Sequence, residues 1–412
     1  MVEDALKRNP NLAAAEATLR QAHELFAVQG AAYFPLVQGG FSASHAKNAD
    51  AAIANPTSST SSIYSLYTAQ LTLSYTPDVF GLTRRSVEAA KAQEEGARFQ
   101  REAVYLTLSS NVVVTAVQEA TLRGQIAATE RLLDLQHQLT ETVRGQRKLG
   151  VASDLDLLTQ QTAEAQTAAT LPPLQKQLGQ TRDALTALLG RLPDSEPSDT
   201  FTLEDLTLPG ELPVSVPSKL VAQRPDVRQA EENLHAASAQ VGVAIANMLP
   251  LFNLTADAGT SALQFGSLFG PYTSFWDLGA SLTQTLLDGG ALIHRRRAAE
   301  AGLDEAGAQY RAAVILACQN VADTLRALDA DAAGLKATLE ADRAAHGALD
   351  LARGQYKLGA VSFVVVLNAE QAYQQAELAL VVARANRYSD TAGLFQSLGG
   401  GWWNRPGEAL NE

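Results

Sequence analysis

Residues Arg144-Gly145-Gln146-Arg147-Lys148-Leu149-Gly150 return as Arg353-Gly354-Gln355-Tyr356-Lys357-Leu358-Gly359. Six of the seven positions are identical, and each copy is followed three residues later by a serine, Ser153 and Ser362. A basic last turn, then Leu-Gly, then a serine opening a new apolar run is how one helix stops and the next begins. Each copy therefore reads as the tip of a helical hairpin. The rest of the chain must explain why there are two.

Outward from the tips, the repeat grows. Asn9-Pro10-Asn11-Leu12 matches Arg224-Pro225-Asp226-Val227, Pro35-Leu36 matches Pro250-Leu251, and Leu189-Gly190 matches Leu398-Gly399. Self-similarity over this span reads as a tandem duplication. Its halves are residues 1–193 and 217–401. A proline-rich connector at 194–216 is expected to be irregular, with short strands around 201–203, and 402–412 form a tail.

Each half predicts the same order of elements. A helix comes first, at 2–33 and 217–248, with Pro10 and Pro225 inside its first turns. The period then changes from three and four to two. Strands are expected at 35–47 and 63–77 around a polar loop, 48–62, and at 251–263 and 275–287 around a Gly/Phe/Pro loop, 264–273. In the clearest strand Tyr67, Ala69, Leu71, Leu73 and Tyr75 fall on one face, and Thr68, Gln70, Thr72 and Ser74 on the other. The second half opposes Phe252, Leu254, Ala256 and Ala258 to Asn253, Thr255 and Asp257, and Trp276, Leu278, Ala280 and Leu282 to Asp277, Ser281 and Thr283.

Helical hairpins follow at 83–189 and 296–398. The long helix of the first is roughly 65 residues, about 98 Å at 1.5 Å per residue. The opening helix and the returning helix together come to about 103 Å. That near-equality predicts two short helices stacked end to end beside the long one. Pro172-Pro173 is expected to kink or interrupt the returning helix. Leu132, Leu135, Leu139 and Val143 have coiled-coil spacing.

Composition excludes several classes. With 18% charged residues and a net charge of −12, no broad basic surface exists to neutralise nucleic-acid phosphates. The single cysteine, Cys318, rules out an internal disulfide framework and a cysteine zinc site. Its neighbours Val314 to Ala317 place it in the core. The six histidines show no metal or catalytic spacing, so no cofactor and no enzyme activity are expected. No apolar run approaches the ~18 residues of a membrane-spanning helix. Met1-Val2-Glu3-Asp4 enters a helical pattern directly, without the regions of a signal peptide.

The strands carry the membrane argument. Ordinary strands run to about 5–6 residues, whereas these are about twice that, with one apolar face, one small-polar face and aromatic ends, as an outer-membrane barrel requires. Four strands cannot close a barrel, and an open edge in lipid leaves unpaired backbone groups. Two chains would give a barrel filled by its own side chains. Three would leave a lumen, lined by Thr68, Gln70, Thr72, Ser74, Asn253, Thr255, Ser281 and Thr283. The competing reading is a soluble coiled-coil scaffold that binds partner helices and packs these hairpins on its own helices.

The duplicated order, the Asn9-Pro10-Asn11-Leu12 start, the run Leu149-Gly150-Val151-Ala152-Ser153-Asp154-Leu155-Asp156 and Tyr356-Lys357-Leu358-Gly359 together resemble the outer-membrane factor family. These are the TolC/OprM-type exit ducts of tripartite efflux pumps and type I secretion systems. The resemblance covers essentially the whole chain. It implies a mainly α fold with membrane β: long coiled-coil hairpins plus four barrel strands per chain, a homotrimer, a twelve-stranded barrel and an α-helical periplasmic tunnel. It implies a bacterial outer-membrane location and docking to a periplasmic adaptor (membrane fusion protein). An inner-membrane transporter of RND or ABC type follows, directly or through the adaptor. Small-molecule efflux is the expected function, with protein secretion through the same fold as the alternative. Such proteins usually carry a further N-terminal segment with a signal peptide and often a lipid-bearing cysteine, neither of which is legible here.

In such ducts the tunnel closes at the tips. At the first tip Asp154 and Asp156 are available, and Asp156 occupies the position that resembles the family's tip acid. In the second tip Asn368 replaces the expected acid, which moves weight to a hydrophobic gate of Phe363, Val364, Val365 and Val366. Lys148, Leu149, Gly150, Ser153, Lys357, Leu358, Gly359 and Ser362 are the expected adaptor contacts. Tyr67, Tyr75, Trp276, Arg84, Arg85, Arg295 and Arg296 are the expected membrane-interface residues, meeting outer-membrane lipid.

Overall fold

The structure, a computed structural model, describes residues 1–47, 63–195, 200–209 and 222–402. The 48–62 loop, part of the connector and nearly all of the 402–412 tail therefore lie outside the described residues, as do 217–221 of the expected second opening helix. The helices are α1 (Val2–Arg8), α2 (Pro10–Ala31), α3 (Leu82–Lys148), α4 (Asp154–Leu188), α5 (Pro225–Ala246), α6 (Ala291–Lys357) and α7 (Phe363–Ser397). The strands are β1 (Leu36–Lys47), β2 (Ile63–Tyr75), β3 (Leu251–Ala262) and β4 (Ser274–Thr283). Two compact units share these elements: Met1–Thr18, Arg98–Gln229 and Arg311–Glu412 form a helical unit, and Leu19–Ala97 with Ala230–Tyr310 form a sheet unit.

In the sheet unit the order is β1-β2-β3-β4, each pair antiparallel. Register decides its chemistry. Leu71 pairs with Ala258, Leu73 with Ala256 and Tyr75 with Leu254. Ala258 in turn pairs with Trp276 and Ala256 with Leu278, while Phe41 pairs with Ala69 and Val37 with Leu73. Because side chains alternate with period two, the apolar positions of all four strands share one face. Thr72, Asp257 and Asp277 align on the other, with Gln38. On that polar face the Thr72 hydroxyl donates to Asp257 Oδ1 at 2.5 Å. The apolar face is uncovered, with Val37, Phe41, Leu71, Leu254, Trp276, Leu278 and Leu282 all exposed. β4 stops at Thr283, short of the expected 287. Its partner β3 begins at Leu251, opposite Thr283, and Pro250 before it has no N–H to extend the ladder.

Both β-to-α turns of this unit are closed by an aspartate. Asp78 accepts from the amides of Thr83 and Arg84 at 3.0 and 2.9 Å. Asp288 accepts from those of Gly290 and Leu292 at 2.9 and 2.7 Å. A carboxylate on the free amides of a first turn satisfies groups the helix cannot. Those amides hold the Asp288 carboxyl below its ordinary value, the Leu292 amide most of all.

The helical unit corrects several expectations. The opening helix of the first half is broken at Asn9, whose backbone is extended. The residue before a proline is pushed out of the helical region, and Pro10 then starts α2 at the position a proline tolerates. Asn9 uses the break: its side chain accepts from the Asn11 amide at 2.8 Å and donates to Leu188 O at 2.9 Å. In the second half Arg224 replaces it, donating to Ser397 O at 2.7 Å. Each side chain therefore satisfies a terminal carbonyl of the helix that returns from a tip.

Pro172 and Pro173 do not interrupt α4, which runs unbroken through both. Both are exposed, so water can reach the carbonyls they leave unpaired. The short strands expected at 201–203 are absent; Leu203–Asp205 is a 3-10 turn, closed by the Thr202 amide and hydroxyl on Asp205 at 2.9 and 2.7 Å. Leu203 packs with Val117, Ala120 and Ala385. Cys318, expected in the core, is exposed. Its neighbours Ala317 and Val321 are buried one turn apart, so the inward stripe of α6 passes beside it.

Candidate functional site

Both tips lie in the helical unit and share one backbone plan. Gly150 has φ 75° and Gly359 φ 72°. Their amides bond Arg147 O at 3.0 Å and Tyr356 O at 2.9 Å, and the amides of Val151 and Ala360 reach Gln146 O and Gln355 O, each at 2.9 Å. Glycine takes this left-handed conformation without a Cβ penalty. Leu149 and Leu358 project from the turns, 80% and 85% exposed. Lys148 and Lys357 end the long helices and are exposed.

After the turns the tips diverge. Ser153 caps α4 in a reciprocal box: its hydroxyl accepts from the Asp156 amide at 3.1 Å, and Asp156 Oδ2 accepts from the Ser153 amide at 2.9 Å and hydroxyl at 2.7 Å. The hydroxyl first, then the amide, hold the Asp156 carboxyl below its ordinary value. Asp154 pairs with Arg147. Both expected gate acids are thus engaged within their own hairpin. Ser362 caps α7 with no side-chain bond: the Val365 amide donates to Ser362 O at 3.1 Å, and Val365, where the first tip has Asp156, has no carboxylate to return.

The expected hydrophobic gate splits in two. Phe363 and Val366 are buried, whereas Val364 and Val365 are exposed. Asn368 is also exposed. Spacings of three and four place Val364, Val365 and Asn368 on one side of α7. Phe363 joins Val143 and Leu157 in a core bordered by Leu139, Ala152 and Tyr356.

This core is where the hairpins meet. The Tyr356 hydroxyl donates to Gln146 Oε1 at 2.7 Å, and its ring lies edge-on to Phe363 with centroids 5.7 Å apart. The copies of the repeated heptapeptide are thus bonded to each other, through the one position at which they differ. Sequence reasoning did not single out Tyr356; the Arg147/Tyr356 difference was the available signal. Nor did it single out Glu370, which is fully buried and accepts from Arg353 Nη2 at 2.9 Å. Burial pushes the Glu370 carboxyl above its ordinary value, against the opposing pull of Arg353. The matching arginine of the first tip, Arg144, pairs on its own helix with Glu141 instead.

A four-stranded sheet with one uncovered apolar face, joined in one chain to two capped hairpin tips, is also found in known proteins. The family model described as "Outer membrane efflux protein" matches residues 1–191 and 216–400. The chain belongs to this family. The pyoverdine export outer membrane protein OpmQ of Pseudomonas putida is 29% identical over 98% of the chain and 85% of its own length. The solvent efflux pump outer membrane protein SrpC, also of Pseudomonas putida, is 27% identical over 98% and 85%. Among solved structures, the outer-membrane channel OprN superposes with a TM-score of 0.92 at 28% identity, over 97% of this chain and 89% of that one. The outer membrane protein VceC of Vibrio cholerae superposes at 0.87 and 26%, over 97% and 95%.

In this outer membrane efflux protein, Tyr75 ends the apolar face of β2, Tyr67 lies four residues inside its other end at Ile63, and Trp276 is exposed on the same face of β4. Arg84 and Arg85 lie in the first turn of α3, and Arg295 and Arg296 in the second turn of α6; Arg85 pairs with Glu88 at 2.6 Å and Arg296 with Glu300 at 3.3 Å. Among the described residues no helix is long and apolar enough to cross a membrane.

Proposed function

We propose that three copies of this outer membrane efflux protein close one barrel and one tunnel, forming a passive duct gated at the hairpin tips. The observation that carries the proposal is the uncovered apolar face. A scaffold packing these strands on its own helices would cover Leu71, Trp276 and Leu278, and all three are exposed. Lipid is the solvent that such a face fits, and the polar face with Thr72, Asp257 and Asp277 then lines a wet lumen. Closure by three copies satisfies the free edges of β1 and β4.

At the tips, the Tyr356–Gln146 bond and the Phe363 core hold the two hairpins together in the closed state. Val364, Val365 and Asn368 of α7 face the constriction, and Asp154 and Asp156 stabilise the first tip. The exposed turns, Lys148-Leu149-Gly150 with Ser153 and Lys357-Leu358-Gly359 with Ser362, dock a periplasmic adaptor and through it an inner-membrane transporter. Tyr67, Tyr75, Trp276 and the arginines at the starts of α3 and α6 sit at the membrane interfaces. Cargo is small molecules, supported by relatives named for pyoverdine export and solvent efflux. The mass of the detergent-solubilised protein tests the assembly. Three times the 43.7 kDa chain is expected; a detergent-free monomer would overturn the reading.

A further inference from the structure

The β3–β4 hairpin contains no charged residue between Asp257 and Asp277. Its loop, 264–273, is nonetheless well tied. The Ser261 amide donates to Thr273 O at 2.8 Å, the Gly270 amide to Ser267 O at 2.9 Å, and the Thr273 hydroxyl to Gly270 O at 2.8 Å. Leu268 is buried beneath it. Around that anchor the large side chains are exposed: Leu263, Phe265, Phe269 at 82% and Tyr272 fully. Tyr272 sits at φ 67°, in the left-handed region, which an aromatic residue occupies only at a cost of order 1 kcal/mol. A loop in water has no reason to hold so much apolar surface outward.

The side toward which the loop leans is defined. The Phe265 ring lies edge-on to Phe41 at 6.2 Å and to Tyr67 at 5.7 Å. Both belong to the apolar face. The loop therefore folds back over its own β2 and β1 on that face, away from the polar face and away from the β4 edge where another copy would pair.

Register gives its level. Ala262, the last residue of β3, pairs with Tyr67, whereas β1 and β2 pair on to Lys47 and Ile63. The loop therefore leaves β3 level with Tyr67 and lies at that rim of the apolar face.

We propose that the 264–273 loop is a lipid-contacting element: Phe265, Phe269 and Tyr272 sit at the headgroup–acyl boundary of the leaflet at the Tyr67 end. This rests on the barrel reading above. Spin labels in a Cys318→Ser background test it, in vesicles of phosphatidylcholine and phosphatidylglycerol, by comparing collision with oxygen and with a water-soluble nickel chelate. Phe269→Cys is the probe, and Leu263→Cys replaces it if that variant does not assemble. Leu278→Cys marks the apolar face and Ser281→Cys the polar one. The expected result is an oxygen-favoured label at 269, with an oxygen-to-nickel collision ratio between those of 278 and 281. A nickel-favoured label at 269 with 278 still in lipid would overturn the proposal and leave the barrel intact. Spin–spin broadening at 269 between neighbouring loops would also overturn it. A nickel-favoured label at 278 would sink the barrel reading and this inference with it.

Discussion

The hydroxyl of Tyr356 and the amide oxygen of Gln146 are 2.7 Å apart, and they join the second helical hairpin to the first. A neutral hydrogen bond contributes about 0.5–1.5 kcal/mol net. Tyr356→Phe should keep the ring against Phe363 and lose only the bond. Amide exchange in 146–152 is expected to rise by about 2- to 12-fold, the equivalent of that energy. Gln146→Leu should give the same change, and the double variant no more. Additive effects would mean that the two groups are not coupled.

The Asp156 box predicts a pH dependence confined to acid. The folded carboxyl titrates below its ordinary value of 3.8. Its contribution is complete above that value and is lost as pH falls through the lower folded one. Asp156→Ala should cost about 1 kcal/mol, a typical capping loss, with faster exchange at the start of α4. Thermal melting of the variant and the parent should converge at low pH.

Glu370 predicts the opposite slope. Its carboxyl titrates above its ordinary 4.5 because it is buried. Stability from this group therefore falls as pH rises from about 4.5 through the folded value. Glu370→Gln should flatten that segment of a Tm-against-pH curve. Arg353→Ala leaves the carboxylate buried without its partner, and a loss of about 3 kcal/mol is expected. An Arg353→Ala melt unchanged at neutral pH would refute the pairing.

The sheet predicts a difference between its faces. Leu71→Arg places a charge on the apolar face, where mid-membrane arginine costs about 2–4 kcal/mol. Thr68→Arg places it on the polar face. Trimer recovered from the membrane fraction should collapse for the first and persist for the second. Equal losses would contradict the assignment of faces.

How much of this was legible in the sequence varies with the kind of contact. Alternation from Tyr67 to Tyr75 is local, so the strand and its two faces could be read directly. That Leu71 meets Ala258, across 187 positions, depends on register and could not. The break at Asn9 was available in the Asn-Pro pair and went unread because the apolar spacing continued on both sides. Pro172-Pro173 misled for the converse reason: a proline pair can stay helical where both residues face water. At the tips, the Leu-Gly-x-x-Ser pattern placed the turns well, since capping is local. Which gate residues point inward was not available, because Phe363 is covered by Val143 and Leu157 of a different hairpin. Cys318 was misassigned from apolar neighbours, when only the stripe through Ala317 and Val321 turns inward.

The most direct test of the central claim is single-channel conductance in planar bilayers, measured on the parent and on Tyr356→Phe. A gated duct closed at its tips predicts small or infrequent openings in the parent. Open probability should rise by about 2- to 12-fold in the variant, from the loss of one hydrogen bond. No channels from either protein, or a large parent conductance that the substitution leaves unchanged, would contradict it.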